Sequence, residues 1–548
     1  MFRITKWLLL LSLLTAFCGL EAHAQTINAA SCNTSDVQTA INTATEGQTV
    51  TIPAGTCTWT SGVTISGKGI TVQGAGSGRI IAVSSTTLTL GSGTKTLTVT
   101  GADPGITLSI SNGQTLTLYE TGTITNYMTG TVTSYASGTG TLVMNITSSG
   151  GTCGANGLSN CKRWLVSTPS TTTLINNMAG SSGGGASSSN TMFWIAEDTS
   201  SHTDISGFKI AAGTGGANGF GITHTSGGQA VLLHDWWMEL NRTASTGPMN
   251  AVNVYSNEGV IWNCSVDPTA WTQTSGSISQ QDPQNLTVNS WTSVSQFGMN
   301  DTTGQGNLYI EDCDFHAQLY AIGPSDNGRE VARYNLFDNS ALGTHGADTA
   351  QYGQRYFEFY NNVGVFEGYN DGTTFNMQDW FFVRGGTFVI HDNTLPALSS
   401  TDYGTKPDIN MTVMNLQHNA GPDPCWGAGT SNGADYHAPR QVGFGYVTGT
   451  GKDGLGRTND PVTYAGDSEP GYIWANSRQP LGNVTVSDYG GTECANPDTS
   501  VNYIVSGRDY FNGSTAKPGY TPYTYPHPLR QGSGSAPAPP TGLAAVVE

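Results

Sequence analysis

Between Ile205 and Leu395 one short pattern keeps returning: an apolar residue, two polar or bulky ones, a fourth position that becomes Cys or Asn, and another apolar residue two places on. It reads Ile205-Ser-Gly-Phe208-Lys-Ile210, Leu233-His-Asp-Trp236-Trp-Met238, Ile261-Trp-Asn-Cys264-Ser-Val266 and Ile310-Glu-Asp-Cys313-Asp-Phe315. It continues as Ala332-Arg-Tyr-Asn335-Leu-Phe337, Phe359-Tyr-Asn-Asn362-Val-Gly364 and Ile390-His-Asp-Asn393-Thr-Leu395. The fourth position advances by 28, 28, 49, 22, 27 and 31 residues. Short strands and polar turns repeating at this period define a solenoid, because no single repeat can bury its own apolar face. Asn suits the turn, since it tolerates the left-handed conformation and bonds its neighbours. Asn335, Asn362 and Asn393 are therefore expected to stack as an internal ladder.

Other segments organise themselves around this array. Residues 1–24 pair Arg3 and Lys6 with an apolar run, Trp7 to Leu14, and end in Ala22-His-Ala24, the pattern of a cleaved secretory signal peptide. No later run is long enough to cross a bilayer, so no membrane insertion is expected. Asp36-Val-Gln-Thr-Ala40-Ile41-Asn-Thr-Ala44 has helical apolar spacing. Residues 25–83 are read as an N-terminal cap with the first coils. Residues 84–168 alternate aliphatics with Thr and carry Gly-rich turns, which predicts antiparallel hairpins inserted into the solenoid. Residues 169–190 read as a Gly/Ser linker, 191–398 as central coils, 399–530 as loop-rich coils and a C-terminal cover, and 531–548 as a tail.

Eight cysteines follow the leader, an even number for an oxidising compartment. Cys264 and Cys313 hold the same place in neighbouring repeats, and stacked strands lie about 4.8 Å apart, within disulfide reach. They are expected to pair. Proximity adds Cys32–Cys57 and Cys153–Cys161, leaving Cys425–Cys494. With 21 basic and 39 acidic residues the net charge is −18, which disfavours nucleic acid as a partner.

The repeat, together with the helix followed by "TVTIPAGT" (49–56) and "GITVQGAG" (69–76), resembles the right-handed parallel β-helix of the pectate-lyase-like superfamily. The stretch around Tyr127–Trp164 is similar to β-modules of phage tail and other extracellular fibre proteins. The Pro- and Tyr-rich run from Gly507 to Arg530 resembles the ending of secreted bacterial β-helix proteins. The resemblance implies an all-β fold, a polysaccharide partner and a site on an outer strand face. In that setting the densest polar cluster lies between Arg333 and Arg384. For β-elimination from a uronic acid, Arg333, Arg355 or Arg384 would hold the carboxylate and His345 would take the proton. Tyr356 or Tyr360 would supply the acid, with Asp348 and Glu358 beside them. Lyases of this superfamily often use Ca²⁺, and Glu311, Asp312 and Asp314 are its first candidate ligands, although no spacing here is diagnostic. Hydrolysis needs two carboxyl groups. Asp312 and Asp314 alternate along a strand, yet the Asn-Thr-Asp, Asp-Asp and Arg-Ile-Lys signatures of polygalacturonases are missing. Trp237 is a candidate sugar-stacking surface, whereas Trp236 falls on the inward position. The competing class is a non-catalytic glycan-binding or structural β-helix, in which these charged residues would sit in ion pairs.

Overall fold

The computed structural model describes residues 25–101, 108–120, 123–152, 161, 164–180, 186–197, 201–224, 229–241, 250–255, 259–268, 272–281, 301–323, 328–344, 354, 356–365, 379–395, 410–416, 442–443, 469–477, 484–488 and 506–532. Thr49–Ile52, Gly55–Trp59 and Val63–Ser66 form the three sides of a first coil, each short because a turn interrupts every four or five residues. Successive coils stack on these sides in parallel register, so the chain is a parallel β-helix with three faces.

The first face runs from Thr49–Ile52 and Thr71–Gly74 through Gly259–Trp262, Leu308–Glu311, Arg329–Arg333, Tyr356–Tyr360 and Thr387–His391 to Gly471–Trp474 and Tyr510–Asn512. The second carries Gly55–Trp59, Thr172–Asn176, Ser265–Pro268 and the leading halves of Asp314–Ile322 and Leu336–Gly343. The third carries Val63–Ser66, Thr191–Glu197, Asn218–His224 and Val252–Tyr255, and reaches Val484–Asp488. Asp204–Ala212 and Val231–Leu240 bend across the first corner and serve two faces each.

Alternation puts one side chain in two into a single core, where Phe193 stacks on Phe208 and Phe315 on Phe337. Each such burial is worth roughly 1.5–3 kcal/mol. The first corner repeats one backbone device. Asp235, Asn263, Asp312, Tyr334, Asn361, Asp392 and Ala475 all take φ between 50° and 61°. In the coil before them the same place is Gly207, where a Cβ would fall 2.6 Å from the Gly74 carbonyl oxygen. Next to this corner the expected ladder forms: the backbone N–H groups of Asn335, Asn362 and Asn393 donate to Oδ1 of Asn362, Asn393 and Asn476 at 2.9, 2.9 and 3.1 Å.

The helix Thr34–Thr43 buries Val37, Ala40 and Ile41 against the first coil. Gln38 exchanges hydrogen bonds with the backbone of Thr64, which satisfies part of the strand edge that an end coil exposes. Cys32 and Cys57 form the expected disulfide.

The inserted unit is a seven-stranded antiparallel sheet with its own core, leaving the helix at the first corner of the second coil. It begins earlier than its sequence texture: Ile80–Ser84 pairs with Trp164–Ser167 inside it. The stretch read as linker contains a coil strand, Thr172–Asn176.

One pairing is corrected. Cys264 and Cys313 stack as expected but are buried free thiols. Each points its sulfur at the carbonyl two residues back, Trp262 O at 3.0 Å and Glu311 O at 3.3 Å, much as the ladder asparagines reach backbone carbonyls. Cys161 is disulfide-bonded; Cys153, Cys425, Cys494 and the leader lie outside the described residues. No described helix is long and apolar enough to cross a membrane.

Candidate functional site

Two outer walls of the helix hold buried charge. On the first face the outward column runs in register through His234, Trp262, Glu311, Arg333, Tyr360, His391 and Trp474. Its rings and charges stack at the strand spacing: His234 on Trp262 at 4.1 Å, Tyr360 on His391 at 4.7 Å, His391 on Trp474 at 4.3 Å. The C-terminal segment through residue 532 lies along this column as a strap. Arg333 gives Nε to Glu311 Oε1 at 2.8 Å, NH1 to Tyr360 Oη and Tyr523 O at 2.7 Å each, and NH2 to Glu311 Oε1 and Thr524 O. Arg530 NH1 reaches Glu311 Oε2 at 2.7 Å and Asp312 Oδ2 at 2.6 Å, while Tyr525 donates to Asp312 Oδ1. Burial opposes ionisation of Glu311, but Arg333 and Arg530 outweigh it and hold the carboxyl down to about 2. Glu358 accepts from Tyr356 and Tyr520 at 2.7 Å each, and burial pushes its carboxyl up.

The structure brings Arg333, Glu358, Tyr356 and Tyr360 onto one wall, but not into an open groove. Arg333 and Glu358 are both 0% exposed. Arg384 is elsewhere, at the end of a third-face strand, with Nε on Thr344 O at 2.8 Å. His345, Asp348 and Arg355 lie outside the described residues. The cation candidates are divided. Glu311 faces the strap, Asp312 sits at the corner, and Asp314 points out from the second face. Among the described residues no three His, Cys, Asp or Glu side chains meet as a metal site.

The second wall was not anticipated as a unit. Val266, Phe315 and Phe337 point inward, so Ser265 and Asp267, Asp314 and His316, and Asp338 point outward on three successive coils. His316 lies between two carboxylates, with Nε2 at 2.8 Å from Asp314 Oδ2 and Nδ1 at 3.2 Å from Asp338 Oδ2. Ser265 Oγ donates to Asp314 Oδ1 at 2.9 Å. Burial works against the charged imidazole, but the neighbouring acids Asp267, Asp314 and Asp338 together raise it to about 10. Asp267 differs from the other acids. Trp237 Nε1 donates to its Oδ2 at 2.7 Å, while Oδ1 makes no hydrogen bond with the described residues. Burial pushes this carboxyl up to about 7, with the His316 charge holding it lower than burial alone would. Trp237, expected at a surface, does face outward but is covered. One step along the same column Lys209 pairs with Glu239 and lies 3.5 Å over the Trp237 ring.

This arrangement separates two carboxyl groups by environment: Asp267, protonated into the neutral range, and Asp314, held beside a cation and a hydroxyl. One coil step and two residues along the strand put their Cα atoms roughly 8 Å apart. Such a pair can give a proton and take one across a bound molecule. The signal available in the sequence was the polar residue one and three places after the repeat's fourth position: Ser265 and Asp267, Asp314 and His316, Asp338.

No family model matches the chain, and no curated protein matches it. Among solved structures it is similar to the tailspike gp61 of Pseudomonas phage phi297, at 11% identity and TM-score 0.19 over 71% of this chain and 66% of that one. The tailspike gp49 of Pseudomonas phage LKA1 matches at 10% identity and TM-score 0.19, over 84% of this chain and 76% of that one. The Gp54 tailspike of Acinetobacter baumannii bacteriophage AP22, in complex with capsular saccharide, matches at 8% and TM-score 0.15, over 84% and 79%. Scores this low carry no argument about activity; the fold assignment rests on the strand register.

Proposed function

We propose that the chain is a secreted polysaccharide-acting β-helix protein whose chemistry lies on the second face, and that it hydrolyses a glycosidic bond. The observation that carries this is Asp267, whose Oδ1 is unengaged by the described residues, facing the same wall as Asp314, which is held by Ser265 and His316. In this reading Asp267 protonates the glycosidic oxygen as its bond to the anomeric carbon breaks. Asp314 takes a proton from the water that attacks that carbon from the other side. Inversion needs its two carboxyl groups about 6.5–9.5 Å apart, a spacing that the one-coil, two-residue offset of their Cα atoms allows. His316, held by Asp338, fixes and charge-balances Asp314. β-Elimination on the first face has less support, because Glu311, Tyr360 and the strap carbonyls already occupy the Arg333 guanidinium that would hold a uronate.

A second reading, glycan binding without cleavage, is favoured by one fact: Asp267, His316 and Asp338 are 0% exposed. The purified protein should be incubated with acidic and neutral glycans while reducing ends and the ultraviolet absorbance of unsaturated uronates are both followed. Hydrolysis predicts reducing ends without absorbance, abolished in Asp267→Asn. Absorbance would restore the lyase, and binding with neither signal would establish the second reading.

A further inference from the structure

Asp267 faces outward from a solenoid wall and is nonetheless buried, so something covers it. The nearest described cover is the inserted module. Its Tyr119 meets the Trp237 ring edge-on with centroids 5.2 Å apart, and its strand Thr123–Ala136 lies against Ser265–Pro268. Lys209 Nζ sits between the two units, 3.5 Å from the Trp237 centroid, 5.3 Å from that of Tyr119, and ion-paired to Glu239. Resting on the reading of the second face as an acid–base site, we infer that the inserted module is a movable cover of that site, latched by Lys209, Trp237 and Tyr119, and that a saccharide reaches Asp267 only when this latch opens.

The packing fits a unit that can part from the coils without unfolding. The module's core, built from residues such as Leu97, Leu116, Leu118, Met128 and Leu142, is separate from the core of the coils. Among the described residues an apolar cluster between them gathers Ile80, Leu165 and Trp237, with Val83 and Tyr119 at its edge. The chain enters and leaves through a two-stranded neck, where Thr171 and Thr172 donate to Gly76 O and Thr168 donates to Arg79 O. Local opening is drawn from such weakly apolar contacts, not from either core. The latch is also placed to report on the site, because Trp237 bridges it: Lys209 rests on the indole face while the indole N–H holds Asp267. Around Asp267 the charged and titratable groups among the described residues include Glu239, Asp314, His316 and Lys209 from the coils and Tyr119 from the module.

Carboxyl footprinting of the full chain tests this, using a water-soluble carbodiimide with an amine nucleophile and mass-spectrometric readout at Asp267. Lys209→Met removes the cation and keeps the side-chain length; Tyr119→Leu weakens the module's side of the latch. Both should label Asp267 about tenfold faster than the unmodified chain, the scale of a lost desolvated cation–π contact. Glu311, under the strap, should stay at its original rate. Unchanged labelling of Asp267 in both variants overturns the cover. If Tyr119→Leu disturbs the module itself, Lys209→Met decides alone, since its side chain belongs to the coils. Faster labelling with no cleavage of any glycan leaves the cover standing and removes the hydrolase.

Discussion

The first and second faces solve the same problem in opposite ways. Both carry outward polar side chains that end up buried, which costs several kcal/mol per unpaired charge. On the first face a strap from the far end of the chain satisfies them: Glu311 faces two arginines, and Arg333 donates to Glu311, Tyr360 and two strap carbonyls. On the second face His316 is satisfied by two carboxylates while Asp267 keeps one oxygen unengaged by the described residues. Paired charges under a strap mark a closure, whereas a buried carboxyl with one oxygen unengaged by the described residues is a candidate for chemistry.

The comparison breaks most easily on the first face. Arg333→Met leaves Glu311 buried with one of its two cations, and denaturant unfolding should show a loss of about 3–5 kcal/mol. Asp267→Asn should stay within about 1 kcal/mol of the parent at pH 5, where both are neutral there. A similar loss in both would erase the distinction.

The pH dependences should run in opposite directions. Glu311 is held at about 2, below its ordinary 4.5, so its contribution is present above 4.5 and fades as pH falls toward 2. Asp267 is raised to about 7 from 3.8, so the unfolded chain ionises first and stability declines as pH rises between those values. Thermal unfolding against pH should show the acid-side loss shrink in Arg333→Met and the loss between pH 3.8 and about 7 shrink in Asp267→Asn.

Removing a single strap contact should cost less. Tyr520→Phe takes one hydrogen bond from buried Glu358 and should lower stability by about 1–3 kcal/mol. The smallest effect is at the corner. Ala475 holds φ at 52° where other coils use Asp or Asn, and Ala475→Gly should gain about 1 kcal/mol. Equal or lower stability would mean that the corner conformation carries no strain.

Much of the fold was legible because a solenoid writes its period into the chain. The apolar positions, the Asn ladder and the capping helix all follow from local rules. One further coil was hidden: Ile473-Trp-Ala-Asn476 continues the ladder, but 83 residues separate Asn476 from Asn393 and Ala stands where Asn or Asp marks the turn. Thr172–Asn176 was masked by its Gly- and Ser-rich surroundings. The disulfide expected between Cys264 and Cys313 relied on spacing, whereas the backbone aims both sulfurs at carbonyls.

The site was harder to read for a different reason. Arg333, Glu358 and Tyr360 could be placed on one wall, but their partners come from as far as 191 residues along the chain, and no periodicity encodes that. Asp267, His316 and Asp338 obey the same alternation as the core. Their meaning comes from register across coils with 22- and 49-residue steps, together with a cover folded from an insertion.

The most direct test is the titration of Asp267 in the folded protein, followed by carboxyl carbon NMR or difference infrared spectroscopy and assigned by loss of the signal in Asp267→Asn. The account predicts a carboxyl that stays protonated until the pH approaches about 7. A midpoint near the ordinary 3.8 would contradict it, leaving the second face with no acid to offer a glycosidic oxygen.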